Sequence, residues 1–423
     1  MEAPNRKKAP SRARVSRRNA SRRWCIPPAL LSEPDEQLEG VGLLEELRTP
    51  VGMVLWQSLR DVTLWAQVDA EEREGLFTPQ AARARLGGLL ESGAEPALEV
   101  SLTTLAGLVG SPATANPEIV SLVCIQVSRW AEGRGAFATA MGFAQAAALV
   151  VPLDPGPALA AGALALRWSR LARAETWLRR AIGLARRGKH WESYAEAYVE
   201  LGALYVRRGA GEMGERFYTQ GLRAARRWGL TTIRGAAHHG LLLRAMESGD
   251  LEEAERHARG AMRAYGRGHP RLPELEHDEA YLWVRRESYA RALTRLQRLL
   301  PGRVEPVERS FTLAILAHAA AGMEETVLYE EYAMDAWTVI RRHRGEEGRH
   351  GRALVELAYA AVLARDWYHV EEAVRVASEF VSPLTEGAVA NQVADIAAML
   401  RARRAKPKPP PAEPTTEPSA EEE

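Results

Sequence analysis

Cysteine is almost missing from this chain. Only Cys25 and Cys124 occur among 423 residues. Neither has a second cysteine two to four residues away. That excludes a disulfide framework and a cysteine metal knuckle, and the usage fits a reducing, cytoplasmic compartment. Long apolar runs are missing too. No stretch reaches the roughly 18 apolar residues that span a bilayer. The start carries Ser21-Arg22-Arg23-Trp24-Cys25-Ile26, which has the look of a twin-arginine export signal. Pro27-Pro28 and Glu33-Pro34-Asp35-Glu36 follow it, where an export signal needs an apolar run and then small residues, so export is not expected. An excess of one charge is also lacking: 56 basic side chains face 55 acidic ones.

The signatures of chemistry are equally sparse. No HExxH and no GxSxG occur. Of the ten histidines, only His238 and His239 adjoin. Neighbours on a helix point about 100° apart and make a poor metal clamp. Gly209-Ala-Gly211-Glu-Met-Gly214 has the spacing of a phosphate loop. That motif cradles phosphate only between a strand and a helix, and here a helix precedes it. The same holds for Gly133-Arg-Gly135. The sequence reads as a non-enzyme with no catalytic residue, metal or cofactor.

Charge is present but unevenly placed. Residues 1–23 hold nine basic side chains and one acid, Glu2. They show no apolar periodicity and are expected to be a disordered arm able to meet nucleic-acid phosphates electrostatically. No DNA-reading helix or stacking aromatics accompany the arm, so sequence-specific reading is not expected. Residues 406–423 hold two lysines and five glutamates among prolines, the composition of an extended, disordered tail.

Between the tails every signal is helical. Thr49-Pro50, Thr78-Pro79 and Asn116-Pro117 each place a cap residue before a proline at the first helical position. Val51, Val54, Leu55, Leu59, Val62 and Trp65 then form one stripe at 3–4 spacing. From 117 onward a phase recurs: a small residue, a large one four later, and usually a small one seven later. Ala140, Ala144, Ala147 begin it. Ala174, Leu178, Ala181 come next, followed by Gly214, Tyr218, Gly221, then Ala254, Ala258, Ala261, then Ala292, Leu296, Leu299. First markers are 34, 40, 40 and 38 apart. Weaker units are expected around Val327 and Val370. The clearest unit lies at 197–225, with Tyr198, Leu201, Gly202 and Tyr205 on its first helix and Gly214, Tyr218 and Gly221 on its second. One helix pair cannot bury its apolar stripe alone, so the units must stack.

This pattern resembles the tetratricopeptide repeat family, in a variant with a period near 40. The resemblance covers about 120–382. It implies an all-α, right-handed α-solenoid of stacked antiparallel helix pairs with disordered termini. The expected organisation is a basic arm at 1–23, an N-terminal helical region at 24–112, repeats at 113–382, a capping helix at 383–405 and a tail at 406–423. Residues 24–112 are either degenerate units or a separate cap. The resemblance also implies a concave groove lined by the first helices. Its inward positions fall on Arg167, Glu200, Arg207, His239, Met246, His277, Tyr281, Arg285 and Tyr359. Arg167, Arg207 and Arg285 share one repeat position and form a basic ladder for an acidic peptide, or alternatively face solvent or bridge Glu200 and Glu247. Members that clamp a chaperone's C-terminal carboxylate use groove asparagines and lysines. This chain has only Asn5, Asn19, Asn116 and Asn391, and Lys189 alone between 9 and 405, so that clamp is not expected. The resulting reading is a scaffold that binds a protein or peptide in its groove. The alternative is a regulator whose basic arm contacts nucleic acid while the repeats sense a ligand.

Overall fold

The structure is a computed structural model that describes residue 46 and residues 48–343, 347–381 and 387–405. The expectations for 1–23 and for 406–423 lie outside these residues. Eighteen α-helices, and no strand, occur among the described residues. At the N-terminal end are α1 (Pro50–Gln67), α2 (Pro79–Glu91) and α3 (Pro96–Gly110). Seven pairs follow: α4 (Pro117–Glu132) with α5 (Phe137–Val150), α6 (Pro155–Arg167) with α7 (Leu171–Gly188), α8 (Trp191–Arg207) with α9 (Gly211–Arg227), and α10 (Thr231–Ser248) with α11 (Leu251–Tyr265). Then come α12 (Leu272–Arg285) with α13 (Tyr289–Leu299), α14 (Pro306–Gly322) with α15 (Thr326–Arg342), and α16 (Gly351–Leu363) with α17 (Trp367–Phe380). The last helix is α18 (Gly387–Ala405).

The three cap-proline starts work as their chemistry requires. Thr49 Oγ1 accepts from the Gly52 amide at 2.9 Å, Thr78 Oγ1 from Ala81 at 3.2 Å, and Asn116 Oδ1 from Glu118 at 2.8 Å. Each satisfies an amide that the first turn leaves without an intrahelical partner. Helix α5 lacks such a residue, because Ala136 stands at its N-cap. Glu46 does the work from a distance: its carboxylate accepts from the Ala138 and Thr139 amides and from the Thr139 hydroxyl.

Within each pair the two helices pack along their length, and each first helix also touches the first helix of the next pair. This is the stacking that the tetratricopeptide-like spacing implies. Each in-pair turn holds one residue in the left-handed region: Gly135, Ser169, Gly209, Gly249, Glu287, Glu324 and Arg365. Five residues after each lies the start of the buried crossing face: Ala140, Ala174, Gly214, Ala254, Ala292, Tyr329 and Val370. The first five are the markers legible in the sequence. The sixth corrects an expectation. Val327 is 76% exposed, and the unit is phased on Tyr329, which is buried. A tyrosine stands there in place of a small residue, and that hid the phase.

Residues 50–110 hold three helices. Helices α2 and α3 make a hairpin, while α1 lies against α5 and α3. At the other end, α18 buries Val389, Val393, Ile396 and Leu400. It packs on α16 and α17 and also reaches back to α8.

Candidate concave binding cavity

The first helices face inward, and their inner surfaces enclose a cavity of about 570 Å³. Its wall is assembled from the end of α6, from α8, α10, α12, α14 and α16, from Tyr218 of α9, from the turn before α16 and from α18. The floor is apolar: Tyr218, Met246, Phe311, Val355 and Val389 line it and are all buried. Around it stand five arginines, Arg167, Arg207, Arg285, Arg349 and Arg352. All but half-buried Arg285 are exposed.

Five of the nine residues singled out from the sequence line this cavity: Arg167, Arg207, Met246, Tyr281 and Arg285. The three ladder arginines therefore meet in one place. Two are held by the neighbouring pair. Arg167 donates to both Glu132 oxygens, at 2.6 and 3.0 Å, and Arg207 donates to the Leu166 carbonyl at the C-terminal end of α6. Arg285 lies 6.0 Å from the centre of the Tyr359 ring. Neither Glu200 nor Glu247 is the partner of Arg167. Glu247 sits two residues before the turn residue Gly249, as Arg207 sits before Gly209, so an acid occupies one rung of the ladder.

The other four candidates lie elsewhere. His239 and His277 are buried between successive first helices. His239 Nε2 is 2.7 Å from Asp278 Oδ2, His277 Nδ1 is 3.3 Å from Asp278 Oδ1, and Thr312 Oγ1 is 3.0 Å from His277 Nε2. Burial of Asp278 acts to raise its pKa, but the hydrogen bonds from the two imidazoles win, and the carboxyl is held well below its ordinary range. Tyr359 stands beside His318 behind the wall, with ring centres 6.3 Å apart. Glu200 is half-buried on α8.

A second polar cluster closes the floor. Glu356, 1% exposed, accepts from the Tyr281 hydroxyl and lies 2.8 Å from His318 Nδ1. Burial acts against its charge, yet the His318 and Tyr281 hydrogen bonds bring its pKa down. Glu200 and Glu247 behave in the opposite way. Both touch solvent, but protein surrounds them on the concave side, and that enclosure raises their pKa values despite nearby arginines. A concave wall has this effect because it removes water without supplying a hydrogen bond. Outside the cavity, Cys124 is fully buried and burial pushes its thiol up to about 12, so it is no nucleophile at neutral pH.

Sequence reasoning missed Arg349, Arg352, Phe311 and Glu356. Arg352 and Glu356 lie four apart on α16, a spacing that puts both on one face. The sequence phases their unit on Val370, but the groove positions expected on its first helix include only Tyr359.

No protein-family profile matches this sequence, and no curated protein matches it. One solved structure similar to it is a crystal structure of the P58(IPK) TPR domain. The identity is 12%, over 80% of this chain and 100% of that one, with a TM-score of 0.22. An overlap that slight carries nothing over to this chain.

Proposed function

We propose that this chain is a non-enzymatic helical-repeat scaffold that takes a protein or peptide partner into the concave cavity. One observation carries the reading: five arginines, four from separate helices and Arg349 from the turn before α16, converge around an apolar floor. Guanidinium groups pair carboxylates through two parallel hydrogen bonds, so such a rim suits an acidic partner. The cavity lies within the roughly 300–1,000 Å³ range of ligand sites. No helix among the described residues is long and apolar enough to cross a membrane.

The test is affinity capture with the full chain and with a variant carrying Arg167→Ala, Arg207→Ala and Arg285→Ala. The variant is expected to stay helical by circular dichroism and to lose the partner that the parent chain retains. An unchanged set of captured proteins would count against the cavity as the docking site.

A second reading rests on the nine basic side chains of residues 1–23. In it the arm holds nucleic acid while the repeats bind the partner. Retention on DNA or RNA at low salt, lost when 1–23 is deleted, is the expected result. No retention by the full chain would sink it.

A further inference from the structure

We propose that the cavity reads a short acidic segment of a partner protein that carries a single apolar anchor residue. This rests on the reading of the cavity as the partner site and specifies what that site recognises.

Three observations lead there. The first is the contrast between floor and rim. The deep surface is supplied by Tyr218, Met246, Phe311, Val355 and Val389, while the charged groups stand above it. An apolar side chain reaching the floor leaves water, and its flanking residues remain at the level of the guanidinium groups. A charge-only site would need no such floor.

The second is charge. Five arginines line the cavity against Glu247, Glu274 and Glu356. The Glu356 carboxylate is already engaged by Tyr281 and His318 below the floor. Arg167 spends two of its donors on Glu132, which fixes its orientation, and a guanidinium has five. Arg352 stacks on Phe311, with its guanidinium carbon 4.2 Å from the ring centre. That contact joins one rim arginine to one floor aromatic, so the anchor and its acidic neighbour would be read side by side.

The third is closure. Helix α18 packs on α16 and α17 and reaches α8, and it lends Val389 and Gln392 to the lining. At its start, Gly387 lies so close to the Arg208 carbonyl that an added Cβ would sit 2.7 Å from that oxygen. The concave face is thus bridged by a helix and does not run open along its length. A segment of a few residues fits this enclosure, whereas a long extended peptide lying along all the units does not.

The experiment is fluorescence anisotropy with the full chain and a set of fluorescein-labelled nonapeptides. One peptide has a central Phe between two blocks of four acidic residues. The others replace the centre by Ser, the flanks by Ser and Gly, or the flanks by Lys. The acidic peptide with the Phe centre is expected to bind at least about tenfold more tightly than each of the others. Arg352→Ala is expected to weaken it about tenfold, Arg352→Lys by less, and Arg187→Ala, on the exposed end of α7, not at all. Equal binding of the Phe-centred and Ser-centred acidic peptides would overturn the anchor. Tight binding of the neutral-flanked peptide would overturn the acidic segment. Displacement of the Phe-centred peptide by an equal concentration of citrate would replace the segment by a compact anion. If no peptide of the set binds, the inference falls. The scaffold reading then still stands or falls on whether the triple alanine variant loses its captured partner.

Discussion

Tyr218 is gripped between two glycines. A Cβ at Gly202 would lie 2.6 Å from its ring, and one at Gly240 would lie closer still. The first contact is within a pair, α8 to α9, and the second is between pairs, α9 to α10. Gly240→Ala therefore overpacks a buried contact and is expected to cost about 1–3 kcal/mol, measured by urea denaturation. The cost should be much smaller when Tyr218 is also replaced by Ala, because the clash partner is then gone. Asp278 supplies a second prediction. Its folded-state pKa is depressed below the ordinary 3.8, so its contribution to stability is present above about pH 4 and fades as pH falls below that value. Asp278→Asn is expected to cost about 1–3 kcal/mol at pH 7, and the gap to the parent should narrow below pH 4. Glu247 has the opposite sign. Its folded pKa is raised above 4.5 by enclosure, so the ionised form opposes folding at neutral pH. Glu247→Gln should raise the melting temperature at pH 7, and the benefit should vanish as pH approaches the ordinary glutamate range.

At the scale of elements, two contacts across long stretches of sequence decide local order. Helix α5 begins under a cap supplied by Glu46, about ninety residues earlier. Glu46→Ala is expected to destabilise the chain by about 1 kcal/mol, and amide hydrogen exchange should quicken at Ala138 and Thr139. Helix α18 is seated on the end of α8 through the missing side chain of Gly387. The atoms that a larger side chain would meet are the backbone of Arg208 and Gly209, which cannot rotate aside. Gly387→Val should therefore lift the start of α18. Faster hydrogen exchange across 389–396 and around 203–209 is the expected readout, with the α16–α17 pair unchanged.

For the whole molecule, the buried apolar residues fall into four clusters that succeed one another along the chain. The first centres on Trp65 and α1 to α5, and the last extends from Leu242 to Leu400. Stacked units contact mainly their neighbours, so stability is nearly a sum of local terms. Urea unfolding followed by tryptophan fluorescence and by far-ultraviolet circular dichroism should accordingly give transitions that do not coincide. A peptide bound in the cavity touches elements from α6 to α18 and should draw those units into one transition at higher urea.

The sequence by itself determined the helices, the pairing and most of the phase. Small residues at Ala140, Ala174, Gly214, Ala254 and Ala292 are readable because close helix crossings admit little else, and cap-proline starts are local chemistry. It also placed Arg167, Arg207 and Arg285 at one repeat position. Only the tertiary structure decided the rest. Four of the seven turn positions in the left-handed region hold Ser169, Glu287, Glu324 and Arg365, which carry no glycine to announce the turn. The unit at Tyr329 slipped by two residues because a tyrosine stands where a small marker residue is expected, and Arg349 lies in the turn before α16, outside the repeat positions, so only the fold brings it to the groove. His239 and His277 left the groove because Asp278 draws both imidazoles between the first helices. The bridge from α18 to α8 depends on how far the stack curls. Curvature is the accumulated sum of small rotations between pairs, and no single residue states it.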